Sequence, residues 1–119
     1  MNNILVLSTT DTIQLAEKIA AALVEAREAA CVNIVPGIRS IYRWEGKVCN
    51  EGECLLLIKS SADKFEAIRS RIRLLHAYQV PEIIALPISD GDPSSREKYK
   101  PLTLPAAMKA SVKNRAFDF

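Results

Sequence analysis

The chain has one histidine, and it stands in a stretch that could do chemistry: Leu-Leu-His-Ala-Tyr-Gln-Val-Pro-Glu, residues 74–82. Imidazole, carboxylate and thiolate are all acceptable ligands for copper or zinc, so His76, Glu82 and a cysteine are the residue types a soft divalent site would need. Cys31 opens a strand-like segment directly after a helix-like one. The same residues have plainer readings. His76 ends a helical segment, where an imidazolium at the negative end of the helix dipole is favoured by ~0.3–1 kcal/mol. Cys31, Cys49 and Cys54 are odd in number and lack CxxC spacing, which suits free thiols in a reducing compartment or small apolar residues. Tyr78 and Glu82 lie in or beside the loop after the helix, and Pro81 stiffens it.

A second constellation lies upstream. Tyr42 and Trp44 alternate with Arg39 and Arg43 along one strand-like run, which puts aromatic groups on one side and cations on the other. Such residues are enriched at interface hot spots, and core packing of the aromatic side is the alternative. The sequence holds no glycine-rich phosphate loop, no His pair at i, i+4 and no local Ser/His/Asp signature. Hydrolase and nucleotide-fold chemistry therefore have no support, and no catalytic residue is predicted.

The elements that must position these residues follow from hydrophobic spacing. At 119 residues, 49% hydrophobic, the chain suffices for one core. Ile-Leu-Val-Leu-Ser, residues 4–8, reads as a strand. The segment 9–30 carries Ile13, Ala16, Ile19, Ala20 and Leu23 at helical spacing, with Thr10 or Asp11 placed to cap it. Residues 31–48 read as a long strand interrupted by Pro36-Gly37, with a turn at Glu45-Gly46-Lys47. Residues 53–60 form an almost wholly apolar strand. Phe65, Ile68, Ile72 and Leu75 mark a second helix, with Ser60 and Asp63 resembling a capping box, and residues 82–88 supply a fourth strand.

Strand, helix, strand, strand, helix, strand is the split βαβ order of an α+β, ferredoxin-like sandwich: an antiparallel sheet with two helices on one face. Its first and third strands are central, which leaves Pro36 and Pro87 on edge strands where a missing N–H breaks no interior ladder. The other sheet face then needs cover, from the tail or from another subunit. Residues 1–91 make this domain. Residues 92–119, with prolines at 93, 101 and 105, are expected to start as a loop, with one short helix over 106–117.

The net charge is +2, with the excess beyond Ile88, which is no nucleic-acid footprint. The opening Met-Asn-Asn-Ile-Leu-Val-Leu-Ser has no basic n-region and no long apolar run, so neither a signal peptide nor a membrane span is expected and the cytoplasm is the default address.

Taken together, Ala29 to Asn33, Pro36 to Ile38, Ser40 to Lys47 and His76 to Glu82 closely resemble the CutA family of divalent-cation tolerance proteins, over roughly Ile4 to Gly91. The resemblance implies a ferredoxin-like protomer, a homotrimer similar to that of the PII signalling proteins, and a link to copper and other divalent metals. On that footing Cys31, His76 and Glu82 are the candidate metal ligands near a subunit boundary, and Tyr42, Trp44 and Tyr78 the candidate ligand-cleft or interface residues. A PII-like module that binds a small ligand, with an indirect metal effect, is the alternative. Ala77 stands where the family usually has proline, which should loosen the loop presenting Tyr78 and Glu82. The family's Tyr-x-x-Trp segment after the last strand has no counterpart with tryptophan here.

Overall fold

The computed structural model describes residues 2–102. The expected short helix over 106–117 lies outside them. In chain order the elements are β1 (Asn3–Thr10), α1 (Ile13–Glu25), β2 (Cys31–Trp44), β3 (Lys47–Ser61), α2 (Phe65–Leu75), β4 (Ile84–Pro87) and a short α3 (Pro93–Arg96). A 3-10 turn, Ala62–Lys64, leads into α2, and another, Glu97–Leu102, follows α3. The sheet order is β2-β3-β1-β4, with every neighbouring pair antiparallel. This is the α+β ferredoxin-like arrangement, with β1 and β3 central and the proline-bearing strands on the edges.

Alternation along β1 decides which face is buried. Ile4, Val6, Ser8 and Thr10 point to the helices and are buried, and the residues between them are only half covered. From β3, Cys54, Leu56 and Ile58 join this face, and α1 and α2 close it with Ala16, Ile19, Leu23, Ile68 and Ile72. Burying an aliphatic side chain of this size contributes about 1.5–3 kcal/mol, so the sheet and the two helices hold one another. Neither helix end is capped as the sequence suggested. The α1 cap is Thr12, whose hydroxyl accepts from the Leu15 N–H at 3.1 Å, because Thr10 is still in β1 and donates its own hydroxyl to the Thr12 carbonyl at 2.8 Å. Ser60 caps nothing: its hydroxyl donates to the Glu28 carbonyl at 2.6 Å, tying β3 to the loop after α1.

The β2–β3 hairpin is longer than expected. Glu45 (φ 50°) and Gly46 (φ 78°) both occupy the left-handed region, as the two central residues of a type I′ turn must. They pair Trp44 with Lys47 directly, so β3 begins at Lys47 rather than near Glu53. The register shifts between Val35 and Ile38, at Pro36-Gly37, where Gly37 has φ +73°. Beyond that bulge the ribbon leaves the helices behind and projects, giving the molecule its 50 Å long axis against 27 and 26 Å across.

The second sheet face carries no helix. Leu5, Leu7, Leu55 and Leu57 are half-buried there, and Ile84 and Leu86, opposite Leu7 and Leu5 in register, are 46% and 47% exposed. The segment after Gly91 is not the plain loop its prolines suggested. Asp92 caps α3 by accepting from the Ser94 N–H, and the following 3-10 turn packs on β3 with Tyr99 only 8% exposed. Among the described residues no helix is long and apolar enough to cross a membrane.

Candidate ligand cleft

His76 sits just past the last turn of α2, its N–H closing on the Ile72 carbonyl. Its ring does more than end the helix. Nδ1 accepts from the Tyr78 N–H at 3.0 Å, which assigns the proton to Nε2, and Nε2 donates to the Thr9 carbonyl at 2.6 Å. The ring also packs against that of Tyr78, with centroids 4.5 Å apart. His76 thus ties the end of α2 to the end of β1 and folds loop 76–83 over the sheet, a hold that does not need the proline absent at Ala77.

That loop brings Tyr78 to the base of the hairpin, where its hydroxyl donates to Glu53 at 2.8 Å. Glu53 is only 8% exposed. Hairpin register sets its neighbours: Ser40 opposes Glu51, Tyr42 opposes Cys49, and Trp44 opposes Lys47. With side chains alternating along each strand, Tyr42, Trp44, Cys49, Glu51 and Glu53 share one face of the ribbon. Together with Tyr78 and Glu82 they line a cleft of about 760 Å³, within the ~300–1,000 Å³ range of small-molecule sites. Burial, then the hydrogen bond to Glu53 and its charge, push the Tyr78 phenol far above its usual range. Burial and then Glu51 push Tyr42 up to about 12. Both tyrosines therefore keep their protons, and Tyr78 serves as a neutral donor.

The structure gathers Tyr42, Trp44, Tyr78 and Glu82 around one space, but it does not assemble the trio Cys31, His76 and Glu82. Cys31 opposes Lys59, which opposes Leu5, whereas the His76 ring is fixed to Thr9. Four residues of β1 separate those levels, ~13 Å at the rise of a strand, and both His76 nitrogens are already in use. Among the described residues no three His, Cys, Asp or Glu side chains come close enough to hold a metal ion. A preformed metal cage therefore does not fit the chain taken alone. Glu51 and Glu53 were missed from the sequence. The signal was present: a two-residue Glu-Gly turn after Trp44 places position 49 opposite 42 and position 51 opposite 40.

Comparison with known proteins agrees with this architecture. The family model described as CutA1 divalent ion tolerance protein matches residues 4–97. The divalent-cation tolerance protein CutA of Thermus thermophilus is 53% identical over 87 residues, 73% of this chain and 84% of that one. The chloroplastic protein CutA of Arabidopsis thaliana is 43% identical over 98 residues, 82% of this chain but 54% of the longer relative. Among solved structures, CutA1 from Oryza sativa superposes with a TM-score of 0.83 at 39% identity, covering 87% of this chain and 95% of its own. Matched over its sheet, both helices and the loop that carries His76, the chain belongs to the CutA1 divalent ion tolerance protein family.

Proposed function

We propose that the protein serves divalent-cation tolerance as a homotrimer of this chain, without catalysing a reaction, with copper as the foremost metal. The observation that carries the assembly is the uncovered sheet face. Leu5, Leu7, Leu55, Leu57, Ile84 and Leu86 form an apolar surface that one protomer leaves open to water, and second copies of the chain are its natural cover. In this reading a metal is held by donors from more than one subunit. Cys31 and Glu82 keep donor atoms for it, whereas His76 could join only by releasing Thr9 or Tyr78. The free cysteines suit the reducing cytoplasm. Calorimetric titration of the full chain with copper, and with magnesium as control, tests the metal part. Heat with copper that magnesium does not give supports direct binding; its absence makes the metal effect indirect.

A second reading has its own support. The cleft beneath the hairpin, about 760 Å³ and lined by Tyr42, Trp44 and Tyr78, has the size of a small-molecule site, and this favours a ligand-binding module of the PII kind alongside the metal role.

A further inference from the structure

We propose that the cleft between the β2–β3 hairpin and loop 76–83 binds an aliphatic di- or polyamine, an organic cation bearing protonated primary amines. The proposal rests on the small-ligand reading above and adds the class of ligand.

The lining has one electrostatic character. Tyr42, Trp44 and Tyr78 supply aromatic side chains, Glu51, Glu53 and Glu82 supply carboxylates, and neither lysine nor arginine is among the described residues lining the space, Lys47 standing opposite Trp44 at the far end of the same ribbon face. Cations are attracted to aromatic faces as well as to carboxylates, whereas a phosphate or nucleotide would meet three carboxyl groups along the lining. The ion pairs found among the described residues involve Glu66, Glu28 and Asp90, and none involves these three glutamates.

Glu53 is the independent pointer. The residue is only 8% exposed, and the partner of its carboxylate is the Tyr78 hydroxyl, a neutral donor at 2.8 Å. A buried carboxylate without a counter-charge is costly, and a cation entering the cleft relieves that cost. Glu51 and Glu53 lie two residues apart on one strand face, ~7 Å along β3, a separation that successive ammonium groups on a short alkyl chain can span. Primary ammonium groups donate hydrogen bonds to both carboxylates, and the methylenes between them pack on Tyr42 and Trp44. A bare metal ion uses none of this apolar surface and finds no three-donor cage among the described residues.

Trp44 is the only tryptophan of the chain, so its emission reports on the cleft. The test is a fluorescence titration of the full-length assembled protein with spermidine, and separately with ATP. Spermidine should change Trp44 emission saturably and ATP should not. Glu51→Gln, at an exposed position that does not endanger folding, and Glu53→Gln, which still accepts from Tyr78, should each weaken spermidine at least tenfold. Glu17→Gln on α1 should leave it unchanged. Saturation by ATP without spermidine overturns the ligand class while leaving the small-ligand reading in place. No response to either overturns both. Equal spermidine affinity in wild type, Glu51→Gln and Glu53→Gln, or an equal loss in Glu17→Gln, reduces the effect to general charge attraction and overturns the proposed site.

Discussion

Replacing His76 by alanine removes two hydrogen bonds at once, one to the Thr9 carbonyl at 2.6 Å and one from the Tyr78 N–H at 3.0 Å. Each such bond is worth about 0.5–1.5 kcal/mol net, so the expected loss is about 1–3 kcal/mol. A histidine that only answered the helix dipole would lose under ~1 kcal/mol, and salt would screen the effect. Urea unfolding followed by far-UV circular dichroism, at one fixed protomer concentration because the proposed assembly would be linked to folding, measures the difference. Hydrogen exchange adds a local readout: the Tyr78 amide, donating to imidazole in the wild type, should lose protection in His76→Ala while the amides of β1 and β3 keep theirs. A stability change within ~0.5 kcal/mol, the range of ordinary surface substitutions, with Tyr78 protection intact, would refute the claim that His76 fastens the loop.

Ile72→Ala, at a fully buried site between α2 and the sheet, should cost about 2–5 kcal/mol in the same urea assay. Gly46→Val places a β-branched residue at φ +78° and should cost roughly 1–2 kcal/mol, although no neighbour blocks the side chain. Tyr78 and Tyr42 should stay protonated at pH 11 in the folded protein, read as missing phenolate absorbance that appears on unfolding. Because folding raises both phenols above their ordinary value of 10.0, the native state holds more protons than the unfolded chain above that pH, and stability should fall as pH rises through it.

The core was legible because period-2 and period-3.6 spacing have a physical cause, one face against water and one against apolar neighbours. Ile19, Leu23, Ile68 and Ile72 follow that spacing, and strand order and the edge prolines Pro36 and Pro87 followed from it. The distal hairpin was less legible. Lys47 to Gly52 is mostly exposed on both sides, so no alternation marks it, and the two-residue turn at Glu45-Gly46 was the sequence sign of how far β3 extends. The role of His76 was hidden for another reason. Its partners are the Thr9 carbonyl and the Tyr78 N–H, backbone groups that exist at every position, so side-chain identity suggested a helix end or a metal ligand and gave no sign of the clasp the ring forms. Tyr99 was missed because prolines around it signal turns, and a turn can still deliver one aromatic ring to the sheet.

The proposed homotrimer is supported by the open sheet face, and the solution mass tests it most directly. Sedimentation equilibrium or light scattering on the full chain at micromolar concentration should give three times the protomer mass of 13.2 kDa. Leu86→Glu, which places a charge at a position 47% exposed in the single protomer, should remain folded by circular dichroism and sediment as a single chain. A wild-type mass of 13.2 kDa, or a Leu86→Glu variant that still sediments at three times that value, would contradict the account.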